Sequence, residues 1–164
     1  MDQFTDEKYN LGINQEFCFI SLMKLNNILL HHMNLKNKSC SVDFRIPNTD
    51  AYIELKYRQI SSTKYNDSLF DKKKVDIWNK SKIYSKACIF ICFKYIDDEL
   101  YFIKYNKDLF DRFDTKYIEK WGSTNYLIPL DNCLDLDKFI NVLNQLKTML
   151  LTSRFLLLLY LKIM

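Results

Sequence analysis

Only two of the 164 residues are glycine, Gly12 and Gly122, where about 7% is usual in globular chains. This scarcity limits which backbones the chain can build. A phosphate-cradling P-loop, a dinucleotide-binding turn and a strained nucleophile elbow each need two or more glycines at fixed spacing, because the backbone must approach phosphate or turn sharply. None of them can be formed here, so any chemistry must come from side chains on regular strands and helices. The length fits one domain of ordinary size. With 48% apolar and 27% charged residues, the chain is close to a folded average and far from a disordered one.

The net charge is +4, with 24 Lys and Arg spread widely. That is compatible with a nucleic-acid partner without requiring one. Lys, Asn, Ile, Tyr and Phe are abundant, as in AT-rich coding sequences, so lysine runs and aromatic counts carry reduced weight. Five cysteines (Cys18, Cys40, Cys88, Cys92, Cys133) include no C-x-x-C pair. With no signal-peptide pattern at the N-terminus, an intracellular, reducing location is expected, whether cytoplasm, nucleoid, nucleus or viral factory. The two histidines, His31 and His32, are adjacent and point to different sides of a helix, which argues against zinc. We read them as helix C-terminal residues favoured by the macrodipole.

Apolar residues at helical spacing (Ile13, Phe17, Ile20, Met23, Ile28) predict a long amphipathic helix from about 13 to 33. Residues 41–46 and 50–57 alternate as strands around a Pro47-Asn48-Thr49 turn. Ser68 and Asp71 resemble a capping box opening a helix to about Ser85, with Val75 and Trp78 inward. The uncharged run 87–93 reads as a strand buried on both faces, with Cys88 and Cys92 on one core face. Leu100–Tyr105 forms a further strand, residues 108–133 are left open, and a helix follows from Leu134 to about Leu150. Trp78 and Trp121 are read as core anchors. We place one domain at 1–150 and an apolar C-terminal extension at 151–164. Its uninterrupted part, Phe155 to Leu161, is far shorter than the roughly 20 residues of a membrane span. It therefore reads as a helix packing on the body or on a second copy, with a membrane-peripheral tail as the lesser alternative.

The hairpin is where chemistry can reside. If Ile46 pairs with Ala51, Arg45 opposes Tyr52, Asp43 opposes Glu54 and Ser41 opposes Lys56. Directly opposed Cβ atoms lie about 4.5–5.5 Å apart, close enough for Asp43 and Glu54 to share a cation. Alternation puts Asp43, Glu54 and Lys56 on one face and Val42, Phe44, Ile46, Ala51, Ile53 and Leu55 on the other. Like charges facing each other across a sheet repel, so a divalent cation or the Lys56 ammonium must offset them. Two carboxylates with an intervening backbone carbonyl suit Mg²⁺, which keeps several waters. Such a cation assists phosphodiester hydrolysis by acidifying water and neutralising developing charge, and an adjacent lysine orients or deprotonates the attacking water. The acid-x-Lys pattern alone is cheap, since it recurs at Asp6–Lys8, Asp71–Lys73 and Asp114–Lys116. Context separates Glu54–Lys56 from these: an alternating strand with an acid in its partner. The competing reading is a solvated hairpin face.

The order of a helix bearing Glu16, a strand bearing Asp43, a strand reading Tyr52-Ile53-Glu54-Leu55-Lys56, a basic helix and an apolar strand resembles the PD-(D/E)XK nuclease superfamily. Within it, the likeness is to small Holliday-junction-resolvase-like members, whose first helix often carries Gly-x-x-x-Glu, here Gly12 to Glu16. The resemblance covers roughly residues 12–95. It implies an α/β, restriction-endonuclease-like fold: a central mixed β-sheet flanked by helices in α-β-β-β-α-β order, with a C-terminal helix. It implies a Mg²⁺- or Mn²⁺-dependent DNA endonuclease, possible action on branched or recombination DNA, and a homodimer. Asp43, Glu54 and the Leu55 carbonyl would hold the metal, Lys56 would be catalytic, and Glu16 would be an auxiliary acid. Only Leu35–Cys40 is available for the strand that usually precedes Asp43, and the Gln-and-Tyr helix motif of the RecB-like branch is not recognisable after Lys56. Arg58, Lys64, Lys72, Lys73 and Lys80, with Lys74, Lys82 and Lys86, are candidate DNA contacts, although lysine runs are more often solvated faces. The alternative function is an inactive nuclease-like module for DNA binding or assembly.

Overall fold

The computed structural model describes residues 3–33 and 40–163. Helix α1 (Gln3–Leu25) places Phe19 and Met23, one turn apart, in the core. It stops well short of the expected Met33. Asn27 adopts a left-handed φ of 59°, the Ile28 N–H donates to the Met23 carbonyl (2.8 Å) and the Asn27 N–H to the Lys24 carbonyl (3.0 Å). That is a Schellman stop, with Asn tolerating the left-handed residue and Ile28 packing back into the core beside Met23. His31 and His32 are therefore not at a helix C-terminus. They form β1 (His31–His32), which pairs antiparallel with β2 (Phe44–Arg45). The strand thus precedes Leu35–Cys40, and residues 34–39 lie outside the described residues.

The hairpin from β2 to β3 (Ala51–Arg58) has the expected register, Phe44 to Ile53 and Arg45 to Tyr52. Asn48 takes a φ of 62°, and the Thr49 hydroxyl donates to the Ile46 carbonyl (2.8 Å) while accepting from the Ala51 N–H (3.1 Å). These local bonds satisfy the turn, as Asn and Thr side chains commonly do. From β3 the chain crosses through β4 (Asp67–Asp71) and α2 (Lys72–Lys80) to β5 (Cys88–Tyr95), which runs parallel to β3, and returns antiparallel as β6 (Leu100–Lys104). The resulting five-stranded mixed sheet has the order β1-β2-β3-β5-β6.

Ser68 lies inside β4, and Asp71 is itself the cap of α2, accepting from the Lys73 N–H at 2.9 Å. The expected capping box is therefore not formed, the cap lies three residues later, and the helix ends at Lys80 rather than Ser85. After the short helix α3 (Lys107–Phe110), the region left open by sequence folds as β7 (Thr115–Ile118) and β8 (Ser123–Pro129). With β4 these make a second, antiparallel sheet of order β4-β8-β7. Helix α4 runs from Leu136 to Ile163, straight through the boundary placed at 150/151. Among the described residues no helix is long and apolar enough to cross a membrane.

The central sheet is buried on both faces. On the α1 side Phe19, Met23, Phe44, Ile53, Leu55, Phe90, Phe102 and Phe139 form one core, with Cys88 and Cys92. On the α2 side Tyr52, Phe70, Val75, Trp78, Ile91 and Phe93 form another. Trp78 is fully buried as expected, whereas Trp121 is 54% exposed and anchors no core.

Candidate functional site

β3 alternates across the sheet, so Ile53 and Leu55 enter the α1-side core while Glu54 faces α2. β2 continues this alternation only as far as Phe44. The Asp43 N–H also donates to the Ile53 carbonyl (3.1 Å), so the ladder slips by one residue and ends in a bulge, a common way to re-aim a side chain. Val42 consequently joins the α2-side core rather than the face of Phe44 and Ile46. The expected direct opposition of Asp43 and Glu54 is replaced by a different arrangement. The Asp43 carboxylate accepts from the Leu55 N–H at 2.8 Å. In a strand the N–H and C=O of one residue face the same neighbour. The Leu55 carbonyl is therefore turned to the edge where Asp43 sits. Ser41 does not oppose Lys56 either; its carbonyl accepts from the Trp78 indole N–H (3.1 Å).

Asp43 is 6% exposed and Glu54 0%. The two carboxylates sense each other. Burial foremost, and then the Glu54 charge, raise Asp43 from the ordinary 3.8 to about 7, against smaller opposing effects of Lys74, the Leu55 N–H and Lys56. The Glu54 Oε1 is paired with the Lys56 ammonium at 2.6 Å and also with Lys74. The Glu54 Oε2 is buried with no hydrogen-bond partner among the described residues. Burial pulls the Lys56 ammonium toward a lower pKa, but the Glu54 charge and hydrogen bond, helped by Asp43, outweigh it and hold Lys56 above its usual value. Lys56 therefore remains protonated at neutral pH.

Lys74 is the partner that sequence reading placed only among solvent-facing phosphate grips. It lies one residue before Val75 and one turn before Trp78, both buried, and that helical spacing is the signal that it faces the sheet. Glu16, expected as an auxiliary acid, pairs instead with His32. The His32 ring packs on Phe17 and Phe44, and Phe44 belongs to the α1-side core, so Glu16 lies across the sheet from Glu54. Among the described residues no set of three His, Cys, Asp or Glu side chains is placed to hold a metal. The donors present around Glu54 are two carboxylates and one strand carbonyl. That set suits Mg²⁺, which is commonly held by one or two carboxylates and completes its shell with water and substrate phosphate.

The other candidates divide. Arg58 donates to the Ser68 hydroxyl (3.2 Å) and to the Leu69 carbonyl, tying β3 to β4. Lys72 pairs with Asp76 at 3.2 Å. Lys64, Lys73 and Lys80 are exposed.

No family model and no curated protein matches the chain. The fold is similar to that of D212, a nuclease from a fusselovirus, with a TM-score of 0.50 and 16% sequence identity. The match covers 91% of this chain and 97% of that one. The central mixed sheet, its flanking helices and the C-terminal helix thus share the overall arrangement of that structure.

Proposed function

We propose that the chain is a metal-dependent DNA endonuclease-like phosphodiesterase of the PD-(D/E)XK type. One observation carries this reading. Asp43 and the unpartnered Glu54 Oε2 are buried beside each other at the end of β2, next to an inward-turned strand carbonyl and a protonated lysine. An orphaned buried carboxylate oxygen costs free energy unless something binds it.

Asp43, Glu54 and the Leu55 carbonyl would hold Mg²⁺ or Mn²⁺. The cation would supply neutralisation of phosphate charge and acidification of water. Lys56, held as an ammonium by Glu54, is suited to steady the developing charge on the phosphate rather than to take a proton. Lys74 neutralises Glu54 from α2, and a cation entering the site would compete with it. Glu16 has no part in this set. Lys73, Lys80 and Lys64, exposed on α2 and after β3, with Lys82 and Lys86 exposed just beyond α2, are cations that would meet the DNA backbone, each contact adding salt dependence.

The second reading, a nuclease-like fold that binds DNA without hydrolysis, is favoured by the same Lys74–Glu54–Lys56 cluster, since two ammonium groups already neutralise the buried acid. Cleavage of branched, duplex and single-stranded DNA with Mg²⁺ separates the two. Wild type should cut at least one substrate and Glu54→Ala none. Equal cleavage by both proteins removes the site assignment, and no cleavage by either favours the binding module.

A further inference from the structure

Beside the carboxylates, a cleft of about 810 Å³ opens between the far half of β3, β4, the β7 edge and Leu11 and Gly12 of α1. Its volume lies within the range of about 300–1,000 Å³ seen for small-molecule sites. Lys56 lines it, so the cleft shares a wall with the candidate site. Two large aromatic side chains at its lining are left in water: Tyr65 is 55% and Trp121 54% exposed. Trp121 ends a 3₁₀ turn closed by Gly122, whose φ of 57° lies in the left-handed region that glycine adopts without strain. The second glycine of the chain thus sets the turn that presents Trp121. The charged side chains lining the cleft are Lys56, Arg58 and Lys116 against Asp67 alone. Lys64, next to Tyr65 in sequence, holds its ammonium 5.6 Å from the Tyr65 ring centre.

Exposed aromatic faces set among cations match the chemistry of unpaired nucleotides. In a duplex the base faces are covered by stacking, and only an unpaired strand offers them to a side chain. We propose that this cleft binds an unpaired stretch of DNA next to the scissile phosphate, with Trp121 and Tyr65 stacking on bases and Lys116 and Lys64 facing phosphates. The inference rests on the nuclease reading for its choice of ligand and narrows the substrate to DNA with a single-stranded portion.

The test uses the full chain in EDTA, so that binding is read without cleavage. Anisotropy would compare an oligothymidine of about 15 nucleotides, a blunt duplex and a duplex with an unpaired tail. The oligothymidine and the tailed duplex should bind about tenfold tighter than the blunt duplex, and Trp121→Ala should lose about tenfold on those two and little on the blunt duplex. Trp121→Phe should restore most of the loss. Because Trp78 is fully buried, quenching of tryptophan emission by oligothymidine should report Trp121 and vanish in Trp121→Phe. Should Trp121→Ala fail to fold, Tyr65→Ala and the quenching decide the matter. Unchanged affinity in the aromatic variants, equal affinity for blunt duplex, or tighter binding of oligouridine would overturn the proposal. A wild type that cuts with Mg²⁺ yet shows no preference for unpaired DNA sinks this inference alone. One that prefers unpaired DNA and never cuts sinks the nuclease reading alone.

Discussion

Beneath α1, the central sheet meets Phe19, Met23, Phe44, Phe90, Phe102 and Phe139, and the Phe102 and Phe139 rings stack at 3.8 Å. Beneath α2, the same sheet carries Asp43 and Glu54 among Lys56 and Lys74, with Phe70 and Trp78 close by. The first face lowers the free energy of the fold through apolar burial. The second has an apolar core of its own, but its charged cluster works against folding, because removing charges from water is expensive even when they are paired. Buried charge of this kind adds little to stability, and under the proposed function the two carboxylates are there to hold a cation.

That difference can be tested by substitution on each face. Phe102→Ala should cost about 3–5 kcal/mol in urea unfolding by leaving a cavity against Phe139, while cleavage per folded molecule stays unchanged. Glu54→Gln should cost less, about 1–3 kcal/mol, since Lys56 and Lys74 lose a partner but keep part of their hydration. It should nevertheless abolish cleavage. Similar activity losses in both variants would erase the contrast between the faces.

A smaller effect is expected from Lys74→Ala. Without its ammonium, added Mg²⁺ should raise Tm by about 2–4 °C more than in wild type. An equal shift would show that Lys74 and the cation do not compete.

The smallest effect is on pH dependence. Asp43 titrates at about 7 in the fold, against 3.8 ordinarily, chiefly from burial and then from the Glu54 charge. The fold therefore holds a proton that the unfolded chain releases. This contribution to stability is complete below about pH 4 and is lost as pH rises through about 7. Cation binding needs the ionised carboxylate, so it should strengthen up to about pH 7 and level off above. Asp43→Asn should flatten the stability slope over the same window; an unchanged slope would place that titration elsewhere.

Much of this arrangement could be read from residue order, and the exceptions have physical causes. The hairpin register followed from alternation and the Pro47-Asn48-Thr49 turn, and it holds at Phe44 and Arg45. Alternation assumes an unbroken ladder, however, and the bulge at Asp43 moved Val42 to the opposite core. Apolar spacing carried α1 too far because a left-handed Asn27, with no glycine to mark it, ends the helix. Ser68 and Asp71 have the spacing of a cap, but Ser68 is committed to β4 through long-range pairing with Ile128. Lys74 was indistinguishable by composition from its neighbours, and only its position relative to Trp78 gives it away. Trp121 was read as core because large aromatics usually are; its place in a tight turn keeps it in water.

The most direct test is titration of Mn²⁺ into the metal-free full chain, followed by its electron paramagnetic resonance signal. Wild type should bind one ion with Asp43 and Glu54 as ligands, and Glu54→Ala should lose that binding while remaining folded. Equal Mn²⁺ binding by wild type and Glu54→Ala would contradict it.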